Sequence, residues 1–365
     1  MRKHLENTGF ATRAIHLAKP DDASAHAISM GVTNRGAYAR QTNPVVDALE
    51  EAIAALEGGV GAIAAASGMA AVSQTLLGLL PPGGRLVTHR CLYDWSTILR
   101  AEVLPHKAAD IVAMDLRDLS ELERSLRTPT TAVYLEPLSN PILDVLDLDA
   151  IVRLAHKAGA LVIVDNTFLS PYLLRPLERG ADVVLHAATK YLAGHGDVLA
   201  GIVTARDKSV LERLDRARSI YGGVLAPTSA YLVLRGLATL PLRLERHGAN
   251  AMRLASYLTQ HPKVARVVYP GLETDPGHAV ATAQWGGFGG MMGLILRGGR
   301  PAAERLLEAL CICRPWVSLG DVETLITVRD GDAERGITDG FLRVSVGLED
   351  SDDLIEDFNR ALAQV

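Results

Sequence analysis

Cysteine is scarce in this 365-residue chain, which has three: Cys91, Cys311 and Cys313. A small, odd number of cysteines without the spacing of a metal site favours reduced thiols, and therefore a cytoplasmic protein. Cys311 and Cys313 lie in an apolar, helix-like stretch and are interpreted as core residues. Long hydrophobic runs are also missing. Neither an apolar signal segment nor a span of about 18 apolar residues is found, so we expect no membrane contact.

Charge of one sign is not concentrated anywhere in the chain. The 37 Lys and Arg residues and 42 Asp and Glu residues give a formal net charge of −5, without a long run of either sign. Nucleic acids and anionic membranes are therefore not expected as partners, and no metal ion is expected. With 48% hydrophobic and 22% charged residues, the composition is typical of a globular protein.

Short apolar runs alternate with helical patterns in the N-terminal half of the chain. Seven such runs have the length and composition of strands, and they cover residues 60–66, 85–88, 110–113, 132–135, 161–164, 182–185 and 200–204. Strands that alternate with helices in this way predict an α/β fold, in which a seven-stranded, mainly parallel sheet has helices on both faces.

The pattern changes near residue 227. One long helical pattern covers residues 229–260, and strand-like and helical runs follow in a mixed order. We predict three parts: an N-terminal arm without periodicity (1–44), a large α/β domain (45–226) and a smaller C-terminal α+β domain (227–365).

Lys190 and Asp165 form the most informative pair in the sequence. Asp165 closes one strand-like run and Lys190 follows the next, so both side chains are expected at the same end of the sheet. This arrangement suits pyridoxal phosphate (PLP), since a lysine forms the Schiff base and an aspartate faces the pyridine nitrogen. At ~4 Å and an effective dielectric constant of ~20, the Asp165 carboxylate and a protonated pyridine nitrogen attract each other by ~4 kcal/mol. That energy is enough to keep the ring protonated at neutral pH. A buried Lys–Asp pair without a cofactor is the alternative.

Other residues could complete such a site. Gly68 and Met69 lie at a strand-to-helix turn, where backbone N–H groups can bind a phosphate, and Thr189 could add a hydroxyl. Tyr93 could stack on the cofactor ring, and Asn140 could bind its phenolic oxygen. Read singly, each of these residues is equally compatible with a turn or with ordinary packing.

Six motifs occur in a characteristic order. They are Tyr38-Ala39-Arg40-Gln41-Thr42-Asn43-Pro44, Ser67-Gly68-Met69-Ala70-Ala71, Glu136-Pro137-Leu138-Ser139-Asn140-Pro141, Val164-Asp165-Asn166-Thr167, Ala188-Thr189-Lys190-Tyr191 and Ser318-Leu319-Gly320-Asp321-Val322-Glu323-Thr324-Leu325. Over nearly its whole length the chain resembles the Cys/Met-metabolism PLP-dependent enzymes, which include cystathionine γ-synthase, cystathionine lyases and methionine γ-lyase. The resemblance implies PLP fold type I, the aspartate-aminotransferase-like fold.

The resemblance also implies a role for each candidate residue. The catalytic residues would be Lys190 as Schiff-base lysine and proton shuttle, Asp165 as pyridinium partner and Tyr93 as stacking ring. The other cofactor contacts would be Asn140 at the phenolic oxygen and Gly68, Met69 and Thr189 at the phosphate. The substrate contacts would be Arg343 at the carboxylate, with Ser318 and Asn140. Tyr38 and Arg40 would reach the phosphate of a neighbouring subunit, so the resemblance implies a homo-oligomer with shared active sites, a dimer of dimers.

Four segments depart from the family pattern. Ala187 replaces a serine that usually contacts the phosphate, and Asp94-Trp95-Ser96 follows Tyr93 where smaller residues are usual. Residues 28–33 differ from the usual arm, and residues 327–331 replace a Met-Thr-His segment. The first departure concerns cofactor affinity, and the other three concern substrate choice.

The resemblance favours a carbon–sulfur lyase that acts on a small sulfur-containing amino acid by α,γ- or α,β-elimination, in the manner of methionine γ-lyase. Val317 supports this reading, because enzymes that process cystathionine at the γ carbon often have a glutamate there. Trp95 is expected to narrow the pocket and to favour a compact substrate.

Several alternatives stay open. They are a γ-replacement transferase (cystathionine γ-synthase or an O-acylhomoserine sulfhydrylase), a cystathionine γ- or β-lyase, and a catalytically silent PLP-binding relative. A Rossmann dehydrogenase is disfavoured because no Gly-x-Gly-x-x-Gly motif follows the first strand.

Overall fold

The computed structural model describes residues 5, 8–18, 33–34, 37–38, 40–107 and 110–365. Apart from Thr33, the departing segment 28–33 lies outside the described residues. Within the part that is described, no helix combines the length and apolar character needed to cross a membrane.

The larger of the two main sheets has seven strands, as predicted. Its strands, in spatial order, are Gly61–Ala65, Gly201–Ala205, Val183–His186, Leu161–Asp165, Ala132–Leu135, Arg85–His89 and Asp110–Met114. Gly201–Ala205 runs antiparallel to both of its neighbours, and the other pairs are parallel. The predicted strand limits agree with these within one residue at each end, because buried parallel strands are continuous apolar runs.

Thirteen α-helices surround the sheets in the described part of the chain. They are Phe10–Leu17, Pro44–Glu57, Gly68–Leu79, Asp94–Ile98, Leu119–Ser125, Leu148–Lys157, Ser170–Leu173, Lys208–Tyr221, Pro227–Leu237, Leu240–Thr259, His278–Gln284, Gly299–Ala309 and Ser351–Ala363. A π-turn at Leu99–Val103 and 3₁₀ turns at Leu104–Lys107 and Pro176–Arg179 complete the helical elements.

A second, five-stranded sheet lies in the C-terminal part. Its spatial order is Val264–Val268, Met291–Leu296, Phe341–Ser345, Leu325–Arg329 and Arg314–Pro315. All of its pairs are antiparallel except the last. The architecture is therefore a mainly parallel seven-stranded sheet with a smaller C-terminal region that contains an antiparallel sheet, as predicted from the sequence. A short pair, Thr33–Asn34 and Ala37–Tyr38, forms a third sheet.

Three sequence predictions are wrong in detail. The helix predicted over residues 229–260 is two helices, Pro227–Leu237 and Leu240–Thr259, because Pro241 lacks the N–H that a continuous helix needs. The N-terminal arm contains the helix Phe10–Leu17, which buries Ala14 and Leu17. The stretch around Cys311 is not helical, since the preceding helix ends at Ala309 and the Asp357 carboxylate accepts hydrogen bonds from the next backbone N–H groups. Cys313 is buried, but Cys311 is exposed.

Candidate active site

A cavity of about 660 Å³ opens where the carboxyl ends of the parallel strands meet the second sheet. Ligands bind at this edge of α/β sheets because the loops that follow the strands converge there. Nine of the candidate residues line the cavity: Gly68, Met69, Tyr93, Asn140, Asp165, Thr189, Lys190, Ser318 and Arg343. Tyr38 and Arg40 do not lie on its wall.

Lys190 lies in the loop after the strand Val183–His186, and its ammonium group donates a hydrogen bond to Ser318 Oγ over 2.6 Å. Burial, together with the positive charge of Arg343, lowers the pKa of Lys190 to about 8. Ser318 has a φ of +96°, which is rare for a residue with a Cβ atom. Such backbone strain costs about 1–3 kcal/mol and is commonly found at functional sites.

Asp165 ends the central strand Leu161–Asp165. One carboxylate oxygen, Oδ1, accepts hydrogen bonds from the backbone N–H and the hydroxyl of Thr167. Burial raises the pKa of Asp165, although the Thr167 hydrogen bonds, the charge of His186 and the Tyr134 hydroxyl oppose the rise. A protonated pyridine nitrogen would add a positive charge beside this carboxylate and favour its charged form.

Arg343 is held from two sides. Its guanidinium donates to Asn140 Oδ1 over 2.8 Å and to the Ser318 carbonyl over 2.9 Å. Burial and the charge of Arg329 lower the pKa of Arg343 to about 10, so it stays charged at neutral pH. Arg343 lies on an interior strand and not on a sheet edge, because Phe341–Ser345 pairs on both sides. The Asn140 amide nitrogen has no protein partner among the described residues and could donate to a phenolic oxygen.

Glu136 is a site residue that the sequence reasoning missed. It is buried on the cavity wall and accepts hydrogen bonds from the backbone N–H groups of Tyr93 (2.8 Å) and Asn140 (3.0 Å). Burial, reinforced by the charge of Asp165, raises the pKa of Glu136 well above its usual range. The available signal was its position, because Glu136 directly follows a buried strand.

The predicted phosphate cradle lies at the start of the helix Gly68–Leu79. Ser67 caps this helix by accepting from the Ala70 N–H, and the N–H groups of Gly68 and Met69 have no acceptor among the described residues. A Cβ atom on Gly68 would lie 2.5 Å from the Ala187 Cβ, so glycine is needed for this close approach. The Thr189 hydroxyl bonds to the backbone of Ala200, accepting from its N–H (3.0 Å) and donating to its carbonyl (3.2 Å).

Tyr38 and Arg40 are exposed. The Arg40 guanidinium lies 5.4 Å from the centre of the Tyr38 ring and donates to the Ser219 carbonyl over 2.9 Å. Their side chains are therefore accessible to a second molecule.

The donor set fits PLP. The wall offers a lysine amine of lowered pKa, the Asp165 carboxylate, two N–H groups at a helix N-terminus that have no acceptor in the described part of the chain, and the Tyr93 ring. These are the groups needed for the aldehyde, pyridine nitrogen, phosphate and ring of the cofactor. The fold and the site thus define a PLP-dependent enzyme of fold type I.

The chain belongs to the Cys/Met metabolism PLP-dependent enzyme family, whose sequence model matches residues 19–363. It is 42% identical to an L-methionine gamma-lyase of Fusobacterium nucleatum subsp. polymorphum over 340 residues, which cover 90% of this chain and 86% of the relative. It is 37% identical to a cystathionine beta-lyase of Bacillus subtilis (strain 168), with 100% and 98% covered.

A solved structure of cystathionine gamma synthase from Xanthomonas oryzae pv. oryzae, in complex with aminoacrylate and cysteine, superposes with a TM-score of 0.93. The two chains are 37% identical, and the match covers 98% of each. These relatives catalyse different reactions on a shared fold, so the similarity establishes the family and the cofactor but does not select the reaction.

The lowered pKa of Lys190 predicts how the apoenzyme regains its cofactor. Only the neutral amine attacks the aldehyde, so the rate of covalent reconstitution should rise through about pH 8 and level off above it. Mixing apoenzyme with PLP at a series of pH values, followed by visible absorption, measures this rate. Arg343→Gln should move the rise to higher pH, because it removes a positive charge near the amine. A rate that is still climbing at about pH 10 would contradict the prediction.

Ala187 predicts weakened phosphate binding. Its Cβ lies next to Gly68, so an added hydroxyl would be positioned at the helix N-terminus. Ala187→Ser should lower the dissociation constant of PLP by about tenfold, since hydrogen bonds to charged groups are worth about 1.5 kcal/mol or more. Equilibrium titration of the apoenzyme provides the measurement, with Ala187→Gly as the control that adds no hydroxyl. An unchanged or higher constant in the serine variant would show that this side of the cradle does not reach the phosphate.

Proposed function

We propose that the protein is a carbon–sulfur lyase, which cleaves a small sulfur-containing amino acid by α,γ- or α,β-elimination in the manner of methionine γ-lyase. The products are a thiol or sulfide, ammonia and a 2-oxo acid. A cytoplasmic location and the division at residues 44/45 and 226/227 stay predictions from the sequence.

The observation that carries the amino-acid chemistry of this proposal, which elimination and replacement share, is the attachment of both Lys190 and Arg343 to Ser318. The Ser318 hydroxyl accepts from the Lys190 amine over 2.6 Å, and its carbonyl accepts from Arg343 over 2.9 Å. A base and a guanidinium are thus held in a fixed relation. An amino acid whose carboxylate is bound by Arg343 would present its Cα–H bond to Lys190, which is a positioning effect.

The other residues support the same chemistry. Bound PLP supplies an electron sink for the charge that develops at Cα. Asp165 would keep the pyridine nitrogen protonated, and Lys190, whose pKa is lowered to about 8, would take the α-proton in its neutral form. Burial and the Asp94 charge raise the pKa of Tyr93, so its phenol stays neutral, and its ring would stack on the cofactor. The Asn140 amide would donate to the phenolic oxygen.

A γ-replacement transferase is the second candidate, and the similarity to a cystathionine gamma synthase structure favours it. Replacement and elimination share their early steps, so Lys190, Asp165 and Arg343 do not distinguish them. Val317 lies on the cavity wall and is exposed. An apolar side chain there offers no charge to the amino group of a cystathionine-like substrate, and this supports elimination of a simpler thiol.

The expected activity is measured with the purified holoenzyme. L-methionine, L-cysteine, L-homocysteine and L-cystathionine are compared by kcat/KM, with thiol and 2-oxo acid detected together. At least one should yield both products in equal amounts, and Lys190→Ala should lower the rate by several orders of magnitude because the proton shuttle is lost. Efficient replacement on an O-acylhomoserine with negligible elimination would establish the transferase. No turnover in either assay would favour a silent PLP-binding relative.

We also propose a homo-oligomer, a dimer of dimers, in which Tyr38 and Arg40 complete the site of a neighbouring subunit. Both side chains are exposed and lie off the wall of their own chain's cavity, which supports a contact made between subunits.

Shared sites predict complementation. Arg40→Ala chains lack the phosphate contact and Lys190→Ala chains lack the base, so each homo-oligomer should be nearly inactive. In a mixed dimer, one site has both defects, and the other site combines the intact Lys190 of one chain with the intact Arg40 of its partner. Mixing the two variants with subunit exchange should therefore restore up to about half of the activity per dimer. Sedimentation gives the assembly state. A fully active monomer, or no recovery after proven exchange, would contradict the arrangement.

A further inference from the structure

We propose that Arg329 forms a second carboxylate-binding subsite in the active-site cavity, which recognises a carboxylate at the far end of the substrate's side chain. This inference rests on the proposed function for the reaction and names its substrate class: sulfur-containing amino acids whose sulfur substituent ends in a carboxylate.

Strand register brings Arg329 and Arg343 to the same wall. Thr327 pairs directly with Arg343 across the antiparallel strands, so the two side chains share a face of the sheet. Arg329 is two residues beyond Thr327 and therefore lies on that face as well. Both arginines line the cavity. Diagonal neighbours of this kind have Cα atoms about 7–8 Å apart, which suits the two ends of one extended amino acid.

The charges around Arg329 do not balance. Asp94 is its counter-ion, but Asp94 also binds the Arg335 guanidinium over 2.8 Å. One carboxylate therefore serves two guanidinium groups, and Arg343 adds a third positive charge nearby. Glu136 accepts hydrogen bonds from two backbone N–H groups and forms no ion pair with these guanidinium groups among the described residues. The repulsion is visible at Arg343, where the Arg329 charge adds to burial in lowering the pKa.

Arg329 can bind a ligand carboxylate without leaving the Asp94 carboxylate uncompensated. Separating a partly buried ion pair is normally costly because one partner is left uncompensated. Here Asp94 would keep Arg335, whose side chain is also fixed by a 2.6 Å hydrogen bond to the Leu92 carbonyl. A substrate with two carboxylates would then match Arg343 at one end and Arg329 at the other.

This wall is built from two segments that depart from the family pattern. Asp94 belongs to the segment after Tyr93, Arg329 belongs to residues 327–331, and the two side chains contact each other. Both changes thus meet at one place on the cavity wall, where the helix Asp94–Ile98 contacts the end of the strand Leu325–Arg329. A specificity role accounts for this pairing.

The distal carboxylate would leave with the sulfur. The carbon–sulfur bond breaks with its electron pair going to sulfur, which takes a proton and departs as a mercaptocarboxylate. The α-proton goes to Lys190, and water releases ammonia and the 2-oxo acid. No oxidant or other co-reactant is needed.

The binding test uses ligands without sulfur, so it does not depend on the lyase activity. Holoenzyme is titrated with L-2-aminoadipate and with its ω-amide L-homoglutamine, and the visible absorption of the cofactor reports binding. The acid should bind about tenfold more tightly than the amide, because an arginine–carboxylate hydrogen bond is charge-assisted. Arg329→Gln should reduce this ratio towards one. Asp94→Asn should increase it, because the competing carboxylate is removed.

Arg253→Gln is the matched control, since it removes an arginine that binds Asp352 on the exposed surface. Its acid-to-amide ratio should equal that of the wild type. If the ion pair were purely structural, the acid-to-amide ratio would not shift in opposite directions in the Arg329 and Asp94 variants. If one of these variants does not fold, the ratio measured in the other still tests the proposal. Equal affinity for acid and amide in the wild type, or an unchanged ratio in Arg329→Gln, would overturn the proposal.

A kinetic comparison separates this inference from the proposed function. S-(2-carboxyethyl)-L-homocysteine and its S-(2-carbamoylethyl) analogue are compared by kcat/KM, and the acid should be preferred about tenfold. Equal cleavage of both would overturn the subsite and leave the lyase intact. If neither is cleaved while the acid-to-amide binding ratio persists, the subsite stands and the elimination chemistry fails. Preferred γ-replacement on a dicarboxylate ester of homoserine would assign the same subsite to a transferase.

Discussion

The half-buried carboxylate of Asp165 is the constraint on which the site depends. A carboxylate shielded from water requires hydrogen bonds or a positive charge, and Thr167 donates to only one of its oxygens. Glu136 adds a second carboxylate, which is buried and whose pKa is raised by burial and by Asp165. Two such groups at one sheet edge are tolerable because backbone N–H groups bind Glu136 and a protonated ring nitrogen can bind Asp165. Two neighbouring carboxylates are unfavourable in the protein without a cofactor, and the same negative charge favours binding of the protonated PLP ring.

Hydrogen bonds across the cavity join residues that follow the large sheet to residues of the C-terminal region. Lys190 and Asn140 follow strands of the large sheet, whereas Ser318 and Arg343 come from the C-terminal region, and they meet in bonds of 2.6–2.9 Å. The base and the carboxylate clamp are thus positioned by contacts between regions and not within one of them. A shift of either sheet would change the geometry of both groups together, which couples substrate binding to the alignment of Lys190.

The residues that suit any member of the family and the residues particular to this chain line the same cavity. Lys190, Asp165, Asn140 and Arg343 suit lyases and synthases equally. Asp94, Trp95 and Arg329 lie on the same wall and belong to the segments that depart from the family pattern. Members of one fold can thus differ in reaction through a few residues of the cavity wall.

The sequence by itself determined the seven strands and the positions of Lys190 and Asp165, because buried strands are apolar runs and side chains that follow parallel strands meet at one edge. It also determined the family, through motifs preserved in order. The break between Leu237 and Leu240 was missed because a helical period continues across it. Glu136 follows a buried strand, but which backbone groups it accepts from depends on the positions of Tyr93 and Asn140 in the fold. Only the tertiary structure decided that Asp94 meets Arg329, 235 positions away, and that Ser318 holds both Lys190 and Arg343. These contacts depend on strand order and register, which are set by packing between distant segments and not by local sequence.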